Sequence, residues 1–147
     1  MKLLKQRLSY SRGIVGDNIY MFTANSCIKD NGALVMGRGC AKTVRDIYTG
    51  VDKLFGKEIE HMSEFNIKFI KWHEQWIGAF QTKVNWQDKS PKRLVLHSTQ
   101  KLCDVAKKRP QWTFHLPCPA VSNGGMEVDD VLNMIEILPD NVIVYLD

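Results

Sequence analysis

The chain has 147 residues, a formal net charge of +4, 44% hydrophobic and 24% charged residues, the length of one domain and the composition of a globular one. It is too apolar for a disordered chain, and no run approaches the roughly 18 uncharged apolar residues of a membrane span. Charge is unevenly placed: all 20 Lys and Arg and ten of the acids fall in residues 1–110, whereas residues 111–147 hold six acids and no base. Such a bias suits nucleic acid, a membrane surface, a phosphorylated ligand or a solvated helix face, of which the last is the plainest.

Met1–Leu8 interrupts its leucines with Lys2, Lys5 and Arg7, so it lacks the apolar core of a secretory signal and reads as an opening strand. Asn18–Ala24 is a nearly continuous apolar run, as in a strand covered on both faces. Cys40–Tyr48 sets Val44, Ile47 and Tyr48 on one helical face, with Gly50 as a stop. Asn66–Trp72 and Trp76–Lys83 read as strands joined by a turn at His73–Gln75. Ser90 and Pro91 offer an N-cap and a first helical position for a helix reaching Arg109, with Leu94, Val95, Leu102 and Val105 inward and many cations outward. Trp112–Leu116 is a further strand, Glu127–Leu138 an amphipathic helix and Val142–Leu146 a closing strand. Glu127, Asp129 and Asp130 stand at the start of that helix, where acids favour the macrodipole.

No repeat or linker divides the sequence, so residues 1–147 are expected to form a single α/β domain: a three-layer sandwich with a central mixed sheet and helices on both faces. Ligands of open α/β sheets bind beyond the carboxyl ends of the strands, which directs attention to the loops after Ala24, Lys83 and Pro119. Cys27, Cys40, Cys103 and Cys118 are separated by 12, 62 and 14 residues, with no CxxC pair or clustered Cys/His spacing. No metal site is expected, and the four thiols read as free in a reducing cytoplasm. His61, His73, His97 and His115 are scattered. Trp86, in the polar stretch Val84–Ser90, is the tryptophan best placed for an exposed contact, while Trp72 and Trp76 sit in strand patterns.

Two loops carry the chemistry. The first runs from Asn25 through Gly32 to Met36-Gly37-Arg38-Gly39-Cys40-Ala41 and opens a helix. Gly37 and Gly39 let backbone approach a ligand, and N–H groups at the helix start face an anion. It lacks the Lys-Ser/Thr ending of a nucleoside-triphosphate loop and the spacing of a dinucleotide fingerprint. The second, Leu116-Pro-Cys-Pro-Ala-Val-Ser122-Asn123-Gly124-Gly125-Met126, can turn N–H groups toward a phosphate in the same way. Each alone is also an ordinary strand-to-helix connection; at one sheet edge they would clamp a diphosphate.

The order of these features, a strand ending in Ala24-Asn25, then Met36–Ala41, then Pro119 with Asn123-Gly124-Gly125 and a closing helix and strand, resembles a macro domain. It is most similar to the compact phage and bacterial macro-like branch, which includes relatives of the DNA ADP-ribosyl glycohydrolase antitoxins. The resemblance covers about Asn18–Asp147. It implies binding of ADP-ribose or an ADP-ribosylated macromolecule, nucleic acid among such substrates, with no cofactor and no membrane partner. By position it implies that Ala24 and Asn25 meet the distal ribose, that Met36, Gly37, Arg38, Gly39, Cys40 and Ala41 hold that ribose and the diphosphate, and that Ser122, Asn123, Gly124, Gly125 and Met126 cover the phosphates. Asp17 is the nearest match to the family's adenine-recognising aspartate, on a shorter spacing than usual.

The resemblance further places Lys83, in Gln81-Thr82-Lys83, where one branch of the family carries a lysine that removes ADP-ribose, with Asn25 beside it. Hydrolysis of an ADP-ribosyl bond or of a terminal ribose phosphate is thus open. The loop aspartate that supports such a lysine is absent: Gly124 stands at its position, and Ala120 and Ser122 replace loop glycines. That departure keeps a non-catalytic ADP-ribose-binding or sequestering module as an alternative. A nucleic-acid-binding protein using the basic helix, with Lys92, Arg93, Lys101, Lys107, Lys108 and Arg109, is a further one.

Overall fold

The computed structural model describes residues 1–13 and 16–147. Six strands and four helices alternate: β1 (Lys2–Leu4), β2 (Asn18–Ala24), α1 (Gly39–Ile47), α2 (Val51–Ile59), β3 (Ile67–Trp72), β4 (Gln75–Gln81), α3 (Lys92–Lys108), β5 (Thr113–Pro117), α4 (Val128–Ile135) and β6 (Val142–Tyr145). They build one mixed sheet in the order β1-β6-β5-β2-β4-β3, in which every neighbouring pair is parallel except β3 with β4. This is the expected α/β sandwich. Among the described residues no helix is long and apolar enough to cross a membrane.

Parallel order explains the unalternating sequence of β2. With β4 on one side and β5 on the other, both its faces are covered, and Ile19, Met21 and Phe22 are at most 1% exposed. On one face α3 and α4 pack through Leu102, Ala106, Val131 and Ile135. On the other, α1 and α2 pack through Val44, Val51, Phe55 and Ile59, with the Phe22 and Phe55 rings edge to face at 5.2 Å. Such a ring pair adds about 0.5–1.5 kcal/mol beyond its burial.

The structure differs from the sequence reading in three places. Gly50 ends α1 as expected, yet at φ +88° it also opens α2, an element the 3.6-residue pattern did not announce because Gly56 interrupts it. The opening strand shrinks to Lys2–Leu4. Ser90 does not cap α3: Pro91 occupies the N-cap position, the Ser90 hydroxyl is buried without a partner among the described residues, and the Ser90 backbone N–H donates to the Gly124 carbonyl at 3.0 Å.

Candidate functional site

All the parallel strands, β1 included, deliver their carboxyl ends to one edge of the sheet, and there a cleft of about 1020 Å³ opens. Its walls are the two anticipated loops. Its ends are Arg7–Tyr10, from the β1–β2 connection, and Tyr145–Asp147, after β6.

The first loop is stiff. Ile28 and Leu34 form a small antiparallel bridge, the Val35 N–H donates to the Cys27 carbonyl at 2.9 Å, and the Leu34 N–H donates to the Asp52 carbonyl in α2 at 2.9 Å. Asn25 holds its base: the side-chain amide donates to the Val35 carbonyl at 3.1 Å while its Oδ1 accepts from the Cys27 N–H at 3.0 Å. One amide hydrogen is left, on a residue lining the cleft. Beyond it, α1 begins at Gly39 with φ +56° and no side-chain cap. Its first intrahelical bond runs from the Lys42 N–H to the Arg38 carbonyl, so the N–H groups of Gly39, Cys40 and Ala41 are the orphan donors of a helix start, facing the cleft that these residues line.

The second loop closes over them. A Cβ on Gly39 would stand 3.4 Å from Asn123 Nδ2, so the two loops approach to within about the width of one methyl group there. Lys83 fixes this approach. It follows β4, is 9% exposed, and its Nζ donates to the Asn123 carbonyl at 2.9 Å and to the Trp86 carbonyl at 3.3 Å. Burial lowers the Lys83 pKa, the nearby Arg38 guanidinium lowers it further, and Asp88 opposes both. Arg38 lies over the Trp86 ring, 5.3 Å from its centroid, and both line the cleft. The Cys118 thiol, also in the lining, is pushed up to about 11 by burial and stays protonated near neutral pH.

Of the residues expected from the sequence, the cleft gathers Ala24, Asn25, Gly37, Arg38, Gly39, Cys40, Ala41, Lys83, Ser122, Asn123 and Gly124. Four others lie elsewhere. Asp17 sits at the amino end of β2, its carbonyl accepting from Thr113 at the start of β5; a strand of seven residues separates it by about 20 Å from the cleft. Met36 is 1% exposed and packs into the core beneath α1. Met126 packs against the α3–α4 cluster, and Gly125 turns away toward the Lys89 side chain. Gly124 lines the cleft but has no room for a side chain: a Cβ there would lie 2.5 Å from both Ala120 Cα and Ser90 Oγ. An aspartate cannot stand at that position without moving the loop.

Sequence reasoning missed both ends of the cleft. Arg7 and Asp147, 140 positions apart, form an ion pair at 3.0 Å across one end. No local pattern marks such a pair; the signal was the parallel pairing of β1 with β6, which brings the two termini together. Among the described residues no three His, Cys, Asp or Glu side chains group as metal ligands.

No family model and no curated protein matches the chain. Its fold does match solved structures. Thermosipho africanus DarTG in complex with ADP-ribose aligns with a TM-score of 0.70 at 21% identity over 88% of this chain. The chain spans 38% of that protein's length. The macrodomain of Mycobacterium tuberculosis DarG gives 0.71 at 20% identity, covering 99% of this chain and 97% of that one. The macrodomain of Thermus aquaticus DarG gives 0.70 at 18%, covering 99% and 95%. The chain has the fold of these macrodomains.

Proposed function

We propose that the chain binds ADP-ribose, free or as part of a derivative, in the cleft between its two glycine-bearing loops. The observation that carries this reading is their close approach at Gly39 and Asn123, which sets three helix-start N–H groups with no intrahelical acceptor opposite the second loop at the carboxyl edge of the sheet. Those donors suit the diphosphate. The remaining Asn25 amide hydrogen and Lys83 are the groups offered to the distal ribose, and the Arg7–Tyr10 and Tyr145–Asp147 end takes the adenosine. The Thermosipho africanus protein of like fold is in complex with ADP-ribose, which supports the choice of ligand. Calorimetric titration tests it: saturable one-to-one heat with ADP-ribose is expected, and absence of heat at high micromolar concentration would sink the proposal.

A second reading, cleavage of an ADP-ribosyl bond, is favoured by Lys83 alone, whose amine is buried beside Arg38 and so released from its proton more readily than usual. In that reaction neutral Nζ adds to C1″ of the opened distal ribose. The bond to the target breaks, the target leaves with a proton, and water then hydrolyses the lysine adduct to ADP-ribose. The two carbonyls that accept from Nζ hold the ammonium form in place, and no carboxylate fits at Gly124, so binding is the primary reading. Release of ADP-ribose from an ADP-ribosylated protein or oligonucleotide, abolished in Lys83→Met, would establish turnover; binding without release leaves the module as a binder.

A further inference from the structure

Two neighbouring helices carry charge of opposite sign. α3 holds five bases, Lys92, Arg93, Lys101, Lys107 and Lys108, against one acid, Asp104. Residues 127–140, which contain α4, hold Glu127, Asp129, Asp130, Glu136 and Asp140 and no base. Each helix follows a strand whose carboxyl end is at the cleft and precedes a strand that starts at the far end. The two helices are therefore parallel, and they share one apolar cluster on one face of the sheet.

Their outer sides leave an open groove containing Leu96, Met134 and Ile137, with Lys92 from α3 and Asp130 from α4. Leu96 is 41% exposed, and Ile137, at 49%, is the most exposed large apolar side chain among the described residues. Among those residues no ion pair joins α3 to α4, and Arg93 is the α3 base that finds a carboxylate, that of Glu64. A basic helix and an acidic helix thus lie side by side, flanking an exposed apolar line, with their charges unpaired with each other.

We infer that this face binds a second copy of the same chain, about a two-fold axis running along the helices. Such an axis sets α3 of each copy against α4 of the other at the same level, base opposite acid, and covers Leu96 and Ile137 of both copies. A two-fold axis running across the helices would stack α3 on α3 and α4 on α4, like charge on like, so electrostatics selects the first arrangement. In it both clefts open toward the same side. The 17 residues of α3 span about 25 Å. With two helix widths, that gives a footprint of roughly 500 Å² per copy, below the roughly 800 Å² of a standard interface. The dimer is accordingly weak, micromolar or above, and sensitive to salt.

Sedimentation of the full chain over about 10–500 µM, at about 50 mM and about 500 mM salt, gives the first readout: concentration-dependent dimer at low salt, monomer at high salt. The second is a charge swap. Lys92→Glu with Lys101→Glu and Lys108→Glu takes α3 from +4 to −2 and leaves both helices acidic, Asp129→Lys with Asp130→Lys and Glu136→Lys takes residues 127–140 from −5 to +1 and leaves both basic, and each triple variant alone should be monomeric. An equimolar mixture should restore the dimer, since each acidic α3 then faces a basic α4. A wild-type chain that stays monomeric throughout, triple variants that still self-associate, or folded triple variants that ignore each other would overturn the inference. Thermal melts confirm folding; should either triple variant melt poorly, Ile137→Ser in the exposed groove replaces it, expected to weaken association at least about tenfold. ADP-ribose titration is independent of these outcomes, so the dimer and the cleft stand or fall separately.

Discussion

Replacing Gly39 by glutamate separates the cleft from the fold. At φ +56° a residue with a Cβ carries a left-handed backbone penalty of about 1–2 kcal/mol, which in a chain of this size lowers the melting temperature by about 2–8 °C. The Cβ itself meets Asn123 Nδ2 at 3.4 Å, an ordinary contact, so packing adds little. The carboxylate, however, is carried into the space between the loops. Placed about 4 Å from one diphosphate charge at an effective dielectric near 20, it repels by up to about 4 kcal/mol. Allowing half of that for side-chain movement, ADP-ribose affinity should fall roughly 30- to 1,000-fold. Gly39→Ala is the control, sharing the backbone strain and lacking the charge; it should melt like Gly39→Glu and bind within several-fold of the wild type. Melting curves and calorimetry on the three proteins provide the comparison. A glutamate variant that melts near the alanine control and binds as tightly would show that the α1 start does not hold the ligand's charge.

Gly124→Ala forces its Cβ against Ala120 Cα and Ser90 Oγ, so overpacking of about 1–3 kcal/mol should appear in the melt together with weaker ADP-ribose binding. Gly125→Ala, at φ +74° against the Lys89 side chain alone, should lower stability yet keep affinity. Gly56→Ala would overlap the Gly32 carbonyl and press on the Leu34 backbone, and denaturant titration should show a loss of about 1–3 kcal/mol as α2 is pushed off the first loop. His115 is buried, with Nδ1 2.8 Å from the Tyr145 hydroxyl and Nε2 2.8 Å from Asn18 Oδ1, and burial lowers its pKa. A histidine with a depressed folded pKa contributes stability that is present above its unfolded value and is lost as pH falls through the folded one. Denaturant midpoints measured downward from neutral pH should therefore fall more steeply for the wild type than for His115→Gln, and equal slopes would refute the assignment.

Strands and long helices were legible because their patterns are local. β2 shows as an uninterrupted apolar run because both neighbours are parallel, and α3 because its stripe persists for 17 residues. α2 escaped because Gly56, placed where the helix touches the first loop, breaks the pattern with a residue that tertiary contact requires. Within the site, the loops were legible through glycine, but not which glycine faces the ligand. Gly124 and Gly125 are adjacent and alike in sequence; one is packed against Ala120 and lines the cleft, the other takes a left-handed turn away from it. Asp17 misled for a related reason. It was matched by the resemblance alone, on a shorter spacing to Asn25 than the family's, and an extended strand turns that spacing into the full depth of the sheet.

The same geometry explains why the net charge is a poor guide to an anionic ligand. The cations nearest the cleft are largely committed: Arg7 to Asp147, Lys42 to Asp46, Lys83 to two carbonyls and Arg38 to the Trp86 ring. Among the described residues, the backbone N–H groups of Gly39, Cys40 and Ala41 at the cleft have no intrahelical acceptor, and they carry no formal charge and leave no trace in the composition. Binding by such groups depends on the shape of the loop, and that shape depends on Asn25, Asp52 and Gly56 behind it. The uneven bases and acids of the sequence are then free for another use, and those of α3 and of residues 127–140 lie side by side on one face, where a second copy offers base to acid.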